Sequence, residues 1–190
     1  MGCVFKNPHI VKNILHPLME EAIDYKDLKS VYKEYSKGKI SRKEFLLVVP
    51  EKIEERCLDL IEPEEDLFEV LDYLKSKGYL LGVLSNIPDH IGSYVIKKYK
   101  LEKYFDPIVF SGTYGKRKPG LDLYEIFLKE SGMDPKNCFF IDDKLVNLET
   151  AKKLKIKTIW KKIRRDKLIS KIKFKPDYTI KELIELKEIF

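Results

Sequence analysis

Glutamine is missing from the 190 residues and alanine occurs only twice, while Lys, Glu and Ile abound. Hyperthermophile proteins and the products of AT-rich genomes share that bias, so runs of charge carry little diagnostic weight here. Cysteine is scarce. Cys3, Cys57 and Cys138 are odd in number, far apart and without a CxxC pair. That excludes a disulfide framework or a zinc site of ordinary spacing and points to a reducing compartment. Each cysteine sits among apolar neighbours and reads as a small core residue rather than a nucleophile. His9, His16 and His90 show no ligand spacing with one another or with the cysteines. No apolar run approaches the ~20 residues of a membrane span, and no signal-peptide pattern is present. A soluble, cytoplasmic protein is expected. The first eleven residues contain no Asp or Glu.

What is present suits one compact domain with a modest insertion. Apolar residues make up 44% and charged residues 36%, with a net charge of +6. The basic excess favours anionic ligands without identifying one.

From Glu64 onward, strand-like and helix-like segments alternate. Pro63 precedes a helix with Leu67, Val70, Leu71 and Leu74 on one face, stopped by Gly78. The run YLLGVLS (79–85) reads as a strand covered on both faces. A helix from Pro88 to Lys100, a strand PIVFSG (107–112) and a helix over Leu121–Ser131 follow. Strand CFFID (138–142), a helix near Val146–Leu154 and strand KTIW (157–160) complete the series. This predicts an α/β fold: a Rossmann-like parallel sheet with helices on both faces, and ligands at the carboxyl ends of the strands.

Residues 8–62 read as helical throughout. Asn7 and Pro8 begin a helix that Pro17 should kink or split. Asp24 starts a second, ended by Gly38, and Ser41 with Glu44 forms a capping box for a third, interrupted at Pro50. The domain reading is therefore an α/β core over 1–7 and 63–190, with a small all-helical cap over 8–62 inserted after the N-terminus.

Three stretches fall at or just beyond the strand ends. VLSNIPD places Ser85 and Asn86 after the first strand. GKRKPG places Lys118 at the start of a helix, with Pro119 suited to a helix N-terminus. FFIDDKLVN places Asp142 and Asp143 at a strand end, with Asn147 four residues beyond Asp143. Singly, each has an ordinary explanation as a turn, a helix start or a cap. Together, a hydroxyl donor, a cation and a carboxylate pair on one rim form the set that holds a phosphate with Mg²⁺. Ser85, Asn86 and nearby N–H groups would bind phosphate, and Lys118 would neutralise charge developing in transfer. Asp143 would ligate the metal, with Asp142 and Asn147 as further ligands or as groups orienting it and its waters.

LLGVLSN, KRKPG and FFIDDKLVN, in that order, resemble the second, third and fourth motifs of the haloacid dehalogenase superfamily. The resemblance covers residues 62–160, PDYTIKELIEL (176–186) is similar to the family's last strand and helix, and residues 8–62 suit its small helical cap. It implies a Mg²⁺-dependent phosphohydrolase acting on a small phosphorylated metabolite. Its first motif, DxDG, supplies a nucleophilic Asp that forms an aspartyl-phosphate and a second Asp as acid–base. Neither is present. In one register Gly2-Cys3-Val4-Phe5 is the tail of that motif and Met1 stands at the second Asp. In the other, Cys3-Val4-Phe5 ends the first strand, with Lys6 and Pro8 at the two Asp positions. The first is preferred because it keeps the glycine and the distance to the helical block. The expectation is that the nucleophile lies upstream of Met1, with the start placed too late, the boundary chosen short, or the motif truly lost, in that order. Within the family that strand lies between those bearing Ser85 and Asp142.

The alternative is a catalytically inactive relative binding a phosphorylated ligand or a protein partner. The segment WKKIRRDKLISKIKFK (160–175) holds eight Lys/Arg and one Asp. Without interleaved aromatics it reads as a solvated helix face, so nucleic acid is the weakest reading. Glu20, Glu21, Asp24 and Asp27 read as solvated faces or caps. Tyr25, Tyr32 and Tyr35 read mostly as core residues of the helical block.

Overall fold

The computed structural model describes residues 3–7, 9–163 and 174–190. The expected helix start at Pro8 and most of the basic helix over 160–175 lie outside them.

The helical block opens with a wide turn over Val11–Leu15, closed by His16 N–H donating to the Val11 carbonyl at 2.8 Å. Pro17, which has no N–H, follows at once, and the chain continues in turns to residue 22. Helix α1 (Tyr25–Tyr35) is capped by Asp24, whose carboxylate accepts from the Lys26 N–H at 2.7 Å. Helix α2 (Arg42–Leu46) starts at the Ser41/Glu44 capping box, and Pro50 separates it from α3 (Glu51–Asp59). Leu28, Tyr35 and Phe45 are buried between them, and Tyr35 stacks on Phe45 at 4.4 Å.

Helix α4 (Leu67–Ser76) buries Leu67, Val70, Leu71 and Leu74 and stops at Gly78, whose φ of +82° favours glycine. Then come β1 (Leu81–Ser85), α5 (Asp89–Lys98), β2 (Phe105–Phe110), α6 (Ser111–Tyr114), α7 (Leu121–Ser131), β3 (Phe139–Asp142), α8 (Leu145–Lys153), β4 (Lys157–Lys161) and β5 (Tyr178–Ile180). The last helix expected from the sequence is a 3₁₀ turn over Leu183–Glu188, a tighter form common in short terminal segments.

Among the described residues the strands form two parallel sheets, β1-β2 and β3-β4-β5. Helices lie on both sides. Leu81, Val83, Phe139 and Ile141 pack with α4 and the terminal 3₁₀ turn. Leu84 and Phe140, at alternate positions, pack instead with Tyr124 and Leu128 of α7 and Ala151 of α8.

Both faces of β1 are covered by helices, as read, but its open edge leaves it less buried than a central strand. Leu81, Val83 and Leu84 are only partly buried and Gly82 is exposed, as are Phe139, Phe140 and Ile141 partly in β3. Among the described residues each strand is paired along one edge only, and its other edge opens on a cavity of about 870 Å³. Residues 3–5 do not fill it. Their strand-like contact is Phe5 with Pro63, braced by Glu64 N–H to the Val4 carbonyl at 3.0 Å and Lys6 N–H to the Glu62 carbonyl at 2.9 Å. The register that made Cys3–Phe5 the end of a sheet strand is therefore excluded.

The helical block meets the core where Gly38, at φ +66°, lies against Gly112: a Cβ on Gly38 would stand 2.4 Å from the Gly112 carbonyl oxygen. Ser111 Oγ donates to the Ser36 carbonyl, and the Arg117 guanidinium meets Ser36 Oγ.

Candidate active site

Ser85, Lys118, Asp142, Asp143 and Asn147 are all buried at the carboxyl ends of β1 and β3, and all line the cavity. The centre is Lys118. Its ammonium donates to the Leu84 carbonyl at 2.6 Å and to Asp142 Oδ2 at 2.7 Å, 4.9 Å from the centre of the Phe140 ring. One cation thus ties the end of β1 to the end of β3.

Its position is fixed through the backbone. The Asn86 amide donates to the Lys118 carbonyl at 2.8 Å and its oxygen accepts from the Lys118 N–H at 2.9 Å. Thr150 Oγ1 donates to the Pro119 carbonyl at 2.9 Å. Two sequence readings change here. The Asn86 side chain, expected on phosphate, is spent on Lys118. Lys118 and Pro119 occupy a turn with a cis peptide bond between them, and α7 starts only at Leu121.

The two aspartates have unlike surroundings. Asp142 is saturated: besides Lys118 on Oδ2, its Oδ1 accepts from the Lys144 N–H at 2.9 Å and from Asn147 Nδ2 at 2.8 Å. Burial alone would raise its carboxyl, but the Lys118 charge and these donors hold it below the usual range. The Asp143 carboxylate accepts no hydrogen bond from a described residue, although its backbone carbonyl accepts from Trp160 Nε1 at 3.1 Å. Burial first, then the Asp142 charge, push its carboxyl upward, against Lys144 and His9.

A carboxylate that accepts no hydrogen bond from a described residue, beside a cavity, suits a hard cation. Mg²⁺ is commonly held by one or two carboxylates with waters and substrate phosphate. Among the described residues no three His, Cys, Asp or Glu cluster as a metal cage. The donor set therefore fits a shared site of that kind and not a closed one.

Several lining residues escaped the sequence reading. His9, Lys12, Tyr25, Lys29, Tyr32 and Lys33 reach the same cavity from the helical block, and Arg117 from the turn. The signal was available: positions 25, 29 and 32 share one face of α1. Two of the three cysteines behave as read, whereas Cys138 is only half-buried. Cys3 and Cys57 are buried, burial pushes the Cys57 thiol up to about 12, and burial with the nearby Asp142 and Asp143 pushes Cys3 higher still. Neither has the lowered thiol pKa of an activated nucleophile. Glu20, Glu21, Asp24 and Asp27 are exposed. No described helix is long and apolar enough to cross a membrane.

Comparison with known proteins follows this geometry. Residues 11–161 match the family described as haloacid dehalogenase-like hydrolase. A phosphoglycolate phosphatase of Aquifex aeolicus is 29% identical over 142 residues, 73% of this chain and 64% of that protein. The chain thus spans less than two thirds of that relative's length. The crystal structure of a HAD phosphatase from Thermococcus onnurineus superposes with a TM-score of 0.72 at 19% identity, covering 100% of this chain and 94% of that one. A HAD family enzyme from Bacteroides thetaiotaomicron, in complex with magnesium and inorganic phosphate, superposes with a TM-score of 0.69 at 24% identity over 88% of this chain and 93% of that one. The match to the family profile runs through the helical block and all three strand-end motifs, and the chain belongs to the haloacid dehalogenase-like hydrolases.

Proposed function

We propose that this chain carries the phosphate site of a Mg²⁺-dependent phosphatase acting on a small phosphorylated metabolite. The observation that carries the reading is the contrast at the β3 end: Asp142 fully engaged with Lys118, Lys144 and Asn147, Asp143 buried with a carboxylate that accepts no hydrogen bond from a described residue. Asp143 would hold Mg²⁺, which supplies neutralisation of phosphoryl charge, while Asp142 and Asn147 orient the site. Ser85 and N–H groups beyond β1 donate to phosphoryl oxygens. Lys118 is shared between Asp142 and the transferred group, offsetting charge as the ester bond breaks. The relative from Aquifex aeolicus, named a phosphoglycolate phosphatase, supports phosphate esters over halides.

In a reaction of this class a carboxylate oxygen bonds to phosphorus as the ester P–O bond breaks, and the leaving oxygen takes a proton from a second carboxyl group. Water then cleaves the acyl phosphate. The DxD pair for these steps has no counterpart in the 190 residues. A second reading is a site that binds a phosphorylated ligand without turning it over.

Calorimetric titration of the 190-residue chain with inorganic phosphate tests the site. Binding is expected with Mg²⁺ present, weakened at least about tenfold by chelation or by Asp143→Ala. Equal binding without Mg²⁺, or by Asp143→Ala, overturns the assignment. Hydrolysis of p-nitrophenyl phosphate by a chain extended upstream of Met1 separates the readings: Mg²⁺-dependent turnover that Asp143→Ala abolishes supports the enzyme, and binding without turnover the second.

A further inference from the structure

The helical block brings cations to the cavity that the phosphate reading leaves unused. Tyr25, Lys29, Tyr32 and Lys33 of α1 all line it. Their spacing puts them on one face of the helix, beside the stripe of Leu28 and Tyr35 that is buried within the block. The Lys29 ammonium stands 5.5 Å from the centre of the Tyr25 ring.

This wall belongs to the rim and not to the gap between β1 and β3. Ser36, at the end of α1, accepts through its carbonyl from Ser111 Oγ, the first residue beyond β2, and its hydroxyl meets the Arg117 guanidinium. Arg117 immediately precedes Lys118 and lines the same cavity.

The charges around the rim are not matched alike. Lys118 is paired with Asp142, and Lys37 and Lys39 are paired with Glu34. Asp143 is the carboxylate read as the Mg²⁺ ligand. Among the described residues no carboxylate comes within ion-pair distance of Lys29, Lys33 or Arg117. Arg117 is also half-buried. Burial pulls its guanidinium below the usual range, against Tyr32 and Glu34 nearby. A cation taken partly out of water costs free energy that an anionic partner offsets. Burial pushes the Tyr32 hydroxyl upward, so it stays a donor.

Three cations and a phenolic donor on one wall suit the oxygens of an anion. The planar fork of arginine and the point charge of lysine both recognise carboxylate and phosphate. A neutral alcohol or sugar would leave the cations unmatched.

We propose that Arg117, Lys29 and Lys33 bind a second anionic group of the substrate, a carboxylate or a further phosphate on the part remote from the ester. The inference rests on the phosphatase reading of the rim and adds the chemical class of the metabolite.

Calorimetric titration of the native 190-residue chain with Mg²⁺ compares three probes. They are butyl phosphate, the same chain ending in a carboxylate, and the same chain ending in a second phosphate. A charged-ended probe is expected to bind at least about tenfold tighter than butyl phosphate. The tighter of the two distinguishes carboxylate from phosphate. The advantage should shrink to about threefold or less in Arg117→Met and in Lys29→Gln/Lys33→Gln. The second variant changes exposed side chains alone, which keeps the test open should Arg117→Met fold poorly. Lys136→Gln/Lys153→Gln removes the same charge from exposed residues that do not line the cavity, and there the advantage should persist.

Equal binding of the three probes, an advantage kept in full by both rim variants, or an equal loss in the remote pair overturns the proposal. Butyl phosphate reports on the phosphatase reading by itself. If it binds and charged ends add nothing, the proposal alone falls; if it does not bind, both fall.

Discussion

Strands β1 and β4 are alike in sequence and unlike in place. LGVLS and KTIWK are both short and mostly apolar, and both are parallel strands. In β4, Thr158, Ile159, Trp160 and Lys161 are all buried, because β3 and β5 flank it. In β1 only Ser85 is buried, since β2 covers one edge and the cavity takes the other. Apolar content marks both as interior strands, but neighbours decide which of them becomes interior. The same contrast divides the site: the Ser85 half and the Asp142 half belong to different sheets and are joined through the Lys118 ammonium.

The largest expected effect comes from breaking that join. Lys118→Ala leaves Asp142 buried without its cation, and the cost should be about 3–5 kcal/mol, read as a lower urea midpoint. The double variant Lys118→Met/Asp142→Asn should recover much of it, because no uncompensated charge remains.

The strand comparison can be tested directly. Ile159→Ala in β4 should cost about 2–4 kcal/mol, whereas Val83→Ala in β1 should cost roughly 1 kcal/mol or less, because partial burial offers less to lose. Equal costs by denaturant titration would mean that β1 is as covered as β4.

Gly38→Ala probes a third place, the seam between helical block and core. The left-handed backbone and the nearby Gly112 carbonyl should together cost about 1–3 kcal/mol, without changing phosphate binding at the rim.

The smallest effect is expected at the start of β5. Asp177 accepts from the Thr158 N–H and hydroxyl, each at 2.8 Å, and from Lys152. Burial works to raise its carboxyl, but Lys152 and Thr158 hold it lowered. A lowered folded value means stability that is present above the unfolded carboxylate range near ~3.9 and lost as pH falls through the folded value. Asp177→Asn should therefore flatten the acid limb of the stability curve, at about 1 kcal/mol or less near neutrality.

Much of this was legible from residues whose effect is local. Asp24, Ser41/Glu44, Pro50 and Gly78 act on their own backbone or within one turn, and the helix ends fall where they stand. Lys118, Asp142 and Asp143 could be placed on one rim because each follows a strand of a parallel sheet. The part played by Asn86 was not legible. Its partner lies 32 residues away, and nothing near Asn86 distinguishes an amide that binds phosphate from one that clamps a backbone. The unlike character of Asp142 and Asp143 was hidden for the same reason, as adjacent carboxylates differ only through what surrounds them.

The amino-acid order alone was enough to place most of the helices and strands and the residue types at the strand ends. These follow from backbone preference and periodicity, which act over a few residues. Which strand edge stays open, which aspartate is saturated with hydrogen bonds, and which side chains of α1 reach the cavity were decided only when distant segments packed. Burial and hydrogen-bond partnership are properties of neighbours in space, and no local window of sequence contains them.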